Sequence, residues 1–138
     1  MTHTKRRPTP ARRGATTVEF ALVAPLFFLV LFSMFEFTWM NVMRHTADNA
    51  AYEAARRVIV PGANVAEAEA EANRLLRIVG ARDARVTVAP RTITRATERV
   101  TVTVEIPMSS NALVAPKFTG SSTIRAVSTQ RTQRANSI

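Results

Sequence analysis

The chain of 138 residues predicts an α+β fold: one long apolar helix, a short second helix, and a small antiparallel sheet of about three strands. Three observations lead there. Residues 20–35 carry no charge, the composition of a helix set in lipid or in a core. Asn64 and Gly80 bracket a segment with the start and stop signals of a short helix. After Arg85 the helical spacing gives way to alternation, in RVTVA and ERVTVTVEI, as half-buried strands require.

The first 14 residues, MTHTKRRPTPARRG, hold five basic residues, two prolines and no acid. They are expected to form a flexible basic leader (1–14) with no fold element, and they carry more than half of the formal net charge of +9. Residues 15–43 are predominantly apolar, interrupted by charge only at Glu19 and Glu36. A helix over them would be on the order of 43 Å long at about 1.5 Å per residue. That length crosses a hydrocarbon layer of about 30 Å. Trp39, near the far end, suits the membrane interface, and Glu36 is expected at that same interface rather than in a core. Basic residues ahead of the span predict a cytoplasmic N-terminus with the remainder outside. A cleaved secretory signal fits less well, because the apolar run is too long and FEFTWMNVMRH offers no small-x-small cleavage site.

Residues 44–62 continue the helix. Met43, Ala47, Ala50, Ala51, Ala54 and Val58 recur at three- and four-residue steps, giving a narrow stripe of small side chains suited to close packing. Pro61 and Gly62 end it. In the small domain, 63–131, Asn64 caps the second helix with Glu67 three residues on, as in a capping box. Leu75, Leu76, Ile78 and Val79 are expected to dock this helix, and Gly80 to take the left-handed C-terminal position. Val86 and Val88, then Val100, Val102, Val104 and Ile106, share one face of the sheet. PRTITRAT is polar enough for the hairpin loop, although Thr92 to Thr94 could extend the first strand; Pro107 ends the second strand, and STIRAVSTQ supplies the third with Ile124, Ala126 and Ser128 inward. A connection through Pro116 and Gly120 joins the last two strands, and the tail 132–138 is expected to fray.

Several function classes are disfavoured. Without cysteine there are no disulfides, thiolate metal sites or thiol nucleophiles. His3 and His45 stand alone, without a second ligand nearby, so neither a metal nor a cofactor is expected. No nucleophile elbow, glycine-rich phosphate loop or clustered ligand set points to an enzyme or a small-molecule substrate. Nucleic-acid binding would rest only on the basic leader, since Arg82, Arg85, Arg91, Arg95 and Arg99 are scattered and read as solvated surface.

The residue that calls for an explanation is Glu19, an acid at the threshold of the apolar helix, where a charge needs a partner or an exit to water. If the chain is cut after Gly14, Ala15 becomes the N-terminus and Glu19 lies about one turn from a free α-ammonium, on a helix end whose dipole also favours a negative charge. The pairing, within one chain or between neighbours, would set the stagger of one helix against the next. Basic leader, Gly14, four residues, Glu19 and Phe20, then an apolar helix resembles the type IV prepilin class. The form GATTVEFALVAP, with Pro25 inside the helix, together with HTADNAAYEAARRVIVPG, is most similar to the TadE-like pseudopilins of the tight-adherence (Tad/Flp) pilus machinery. That resemblance implies cleavage by prepilin peptidase between Gly14 and Ala15, a role for Glu19 and Phe20 in processing or assembly, and a helix kink at Pro25. It further implies a minor pilin-like or accessory component whose partners are other pilin-like subunits and Tad inner-membrane platform proteins. Such a component would lie in the cytoplasmic (inner) membrane or in the fibre. The alternative expectation is an unprocessed single-pass envelope protein that binds a partner through its β-region.

Overall fold

The computed structural model describes residues 11–60, 62–94, 96–114 and 119–132, the side chains of residues 11–13 excepted. Most of the leader, Pro61, Pro116 and the end of the tail lie outside the described residues. The element order is α1 (Ala11–Val58), α2 (Val65–Ile78), β1 (Arg85–Ala89), β2 (Arg99–Pro107), one 3-10 turn (Met108–Ser110) and β3 (Thr123–Arg131). The fold is therefore α+β as the sequence predicts. The chain divides into two compact units, Met1–Met34 and Phe35–Ile138.

In the second unit, the stripe on α1 forms one wall of the core: Met43, Ala47, Ala50, Ala51, Ala54 and Val58 are all fully or almost fully buried. The small side chains there share one core cluster with Ala68, Ala72 and Leu76 of α2 and the inward residues of the strands. Enlarging one of them forces neighbours off their rotamers, so Ala54→Leu is expected to destabilise this unit by roughly 1–3 kcal/mol. Urea unfolding followed by far-UV circular dichroism measures the loss; a variant as stable as the parent would show that the stripe has room to spare.

α2 begins as the sequence indicates. Asn64 is extended, and its side-chain oxygen accepts from the Ala66 N–H at 3.0 Å. Its end is also legible: Gly80 has φ +67°, and the N–H groups of Ala81 and Gly80 reach back to the carbonyls of Leu76 and Arg77. These are the paired bonds that close a helix at a left-handed residue. The docking face agrees with the expectation except at one residue. Ala68, Ala72 and Leu76 are buried and Leu75 and Val79 pack against the core, whereas Ile78 is exposed. Four-residue spacing keeps the first three on one side of the helix, and Ile78, two residues past Leu76, is turned away from it.

Arg57 of α1 and Glu71 of α2 lie 3.3 Å apart, and Arg74 holds the same carboxylate at 2.6 Å. The Arg74 hydrogen bond, aided by the charges of Arg57 and Arg74, pulls Glu71 below the usual carboxylate range. A depressed folded-state pKa contributes stability that is present above the unfolded value and lost as pH falls through the folded one. Glu71→Gln should therefore be slightly less stable than the parent at pH 7, with the difference vanishing in acid. Paired thermal melts at neutral pH and near pH 3 check this, and an undiminished difference in acid would contradict it.

β2 is the central strand of an antiparallel sheet in the order β1-β2-β3. The register pairs Val86 with Val104, Val88 with Val102, Val104 with Ala126 and Ile106 with Ile124. All four inward positions of β2 are buried completely. The opposite face carries threonines and charges: Thr101 and Thr129 share a hydroxyl bond, and Glu105 lies between Arg85 and Arg125 in the register. This face is solvated, as strict alternation predicts. Residues 90–94 remain outside β1, which ends at Ala89. Pro107 is the last residue of β2 and leads directly into the 3-10 turn.

Candidate functional site: the apolar helix and its two acids

α1 is helical from Ala11, so the last four residues of the expected leader belong to a fold element. The sequence reading assigned them none because ARRG lacks apolar periodicity, but a helix once nucleated extends into neighbouring residues with little further cost. Gly14 is consequently the fourth residue of α1, at the end of its first turn. A Cβ built on it would meet nothing within 4 Å, and its φ is not left-handed. Neither space nor backbone conformation requires glycine there, while alanine would favour the helix by about 1 kcal/mol.

Ala15 and Glu19 stand four residues apart on this helix, which places them on one face a turn from each other. Helical side chains lean toward the N-terminus, so the Glu19 carboxylate leans toward Ala15. Both residues are exposed, as is Phe20. Glu19 has no hydrogen-bond or ion-pair partner among the described residues. Pro25 sits inside α1, where its missing N–H leaves the Ala21 carbonyl without the usual helical donor.

Between these residues and Glu36 the helix is apolar on every side. Leu22, Val23, Leu26, Phe27, Phe28 and Leu29 are all exposed, and successive helical positions turn by about 100°. The one hydroxyl in the middle of this stretch, Ser33 Oγ, is satisfied by the Leu29 carbonyl at 2.8 Å. The most apolar window of 18 residues has a mean hydropathy of 2.3, and none of it is covered by protein. A helix that is hydrophobic all round requires a core or a membrane to surround it.

Glu36, expected to stand outside a core, is instead 3 % exposed and enclosed by its own chain, although its neighbours Phe35 and Phe37 stay exposed. The backbone N–H groups of Leu113 and Val114 donate to Glu36 Oε2 at 3.0 and 2.8 Å, and Thr119 Oγ1 donates to Oε1 at 2.8 Å. A buried carboxylate is tolerable only when several donors replace its water, and here they do. Trp39 is likewise part of the domain: its indole N–H donates to the Asn111 carbonyl at 2.8 Å. Asn111, which the sequence reading did not single out, is 7 % exposed. Its side chain exchanges two bonds with the Arg82 backbone and donates a third to the Pro107 carbonyl. An asparagine just past a strand end and a turn was the only hint available. Among the described residues, no cluster of His, Asp or Glu could hold a metal ion.

A helix long and apolar enough to cross a membrane, uncovered by protein and followed by a small α+β domain, has the form of a single-pass membrane protein. Residues 14–56 match the family model described as TadE-like protein, so the match begins at Gly14, stays within α1, and takes in Glu19, Phe20, Pro25 and Glu36. Searches of curated proteins and of solved structures found no match.

Proposed function

We propose that this chain is a pilin-like component of Tad pilus assembly, cut after Gly14 by prepilin peptidase and working through helix packing with other pilin-like subunits and inner-membrane platform proteins. Its role is structural. The observation that carries the reading is the TadE-like match starting at Gly14, on a helix whose next twenty or so residues are apolar and uncovered. Residues 15–35 are the membrane segment in this reading: about 20 residues at 1.5 Å each give roughly 30 Å, the thickness of the hydrocarbon layer. Trp39 and Met43, which hydropathy alone would assign to lipid, belong to the domain beyond it.

Cleavage would place the new α-ammonium on the same helix face as Glu19, one turn away. It would also account for a glycine that packing and conformation leave unexplained. The basic leader would lie in the cytoplasm and the sheet outside the cell membrane. Mass spectrometry of the native protein tests the proposal directly. A mature chain beginning at Ala15 is expected; recovery of an intact Met1 form from cells with active prepilin peptidase would favour an unprocessed envelope protein instead.

A further inference from the structure

We infer that the bend at Leu113 and Val114 is a second membrane contact, held against the bilayer surface by Glu36. This rests on the reading of α1 as a membrane span. Leu113 is 57 % and Val114 42 % exposed, two adjacent apolar side chains on a connection that would ordinarily be polar at its surface. Their backbone N–H groups are the ones that bond to Glu36, the first charged residue after the uncharged run of residues 20–35. Phe35 and Phe37, on either side of Glu36 in α1, are exposed as well, so the residues that flank the carboxylate and the two it holds are all apolar and uncovered.

Through these bonds the bend is tied to the residue at which the uncharged run of the sequence ends. Burying a carboxylate in a protein core is unfavourable unless its donors are well placed. What this arrangement achieves is to fix two exposed aliphatic side chains beside Glu36, the residue that follows the uncharged run. A lipid headgroup and upper-acyl layer accepts such side chains, as it does the apolar face of an interfacial segment.

The absence of cysteine from the chain makes a site-directed probe clean. The full-length protein is reconstituted in phosphatidylcholine–phosphatidylglycerol vesicles with a nitroxide on Leu113→Cys, on Leu26→Cys within the span, or on Val127→Cys, which is exposed on the outer face of the sheet. Power saturation then compares accessibility to oxygen and to a water-soluble nickel chelate. The oxygen-to-nickel ratio at position 113 is expected to be several-fold above that at 127 and below that at 26. Glu36→Ala should lower the ratio at 113 toward that at 127, with Val114→Cys as a second reporter should the first variant fold poorly. A ratio at 113 equal to that at 127, with 26 still in lipid, overturns the proposal and leaves the membrane span standing. If 26 is aqueous too, the span itself is wrong. Low access to both reagents with dipolar broadening would mean that a second copy covers the bend, which also overturns it.

Discussion

Replacing Glu36 by alanine is expected to destabilise the domain by about 3 kcal/mol, because two backbone N–H groups and a hydroxyl lose a charged acceptor together and buried groups left unsatisfied cost roughly 1–3 kcal/mol each. Part of that loss is recovered as the connection opens to solvent, which keeps the total below the simple sum. Glu36→Gln retains a carbonyl oxygen for the two N–H groups and can still pair with Thr119, so its loss should be nearer 1 kcal/mol. The single tryptophan is a convenient reporter, since Trp39 is bonded to Asn111 close to the affected connection. Urea titrations of the full-length chain in detergent, followed by its emission, should show midpoints ordered parent, Gln, Ala. An alanine variant with the parental midpoint would mean that the three bonds contribute nothing net to folding.

That arrangement also shows where the sequence stops being informative. Glu36 finds its partners 77, 78 and 83 residues further on, and Trp39 reaches Asn111 across 72. Neither separation leaves any periodic trace. Hydropathy could not divide α1 either, because a phenylalanine facing lipid and a methionine facing a protein core have similar composition signals. Phe28 and Met43 lie in the same apolar run, yet the first is exposed and the second is fully buried. Local chemistry, by contrast, was legible. The Asn64 cap, the left-handed Gly80 and the alternating valines of β2 each depend on residues within a few positions of one another. α2 falls between these cases. Its start and stop were readable and Leu75, Leu76 and Val79 dock as expected, but Ala68 and Ala72 were missed because they contribute little hydropathy, and Ile78 drew attention to the wrong side.

The two acids that bracket the span differ in the one respect that matters for assembly: Glu36 has its partners inside the chain, whereas Glu19 has none among the described residues. Glu19→Ala should consequently leave the fold and membrane insertion intact, because removing an exposed charge only makes the span more apolar. Its effect should appear in processing or in incorporation with other pilin-like subunits. In a water-poor helix bundle, loss of a carboxylate–ammonium match worth about 1.4 kcal/mol lowers the assembled fraction about tenfold, and repetition of the match along a fibre would amplify the defect. Glu19→Gln preserves shape and hydrogen bonding but not charge, so it should behave like alanine if the match is ionic. The readouts are the mature N-terminus and the ratio of assembled to membrane-resident protein, measured beside Glu36→Gln, which keeps the Glu19 site untouched. Normal cutting and incorporation of both Glu19 variants would remove the carboxylate from any part in assembly, and would leave its place at the membrane edge to be explained by exposure to water alone.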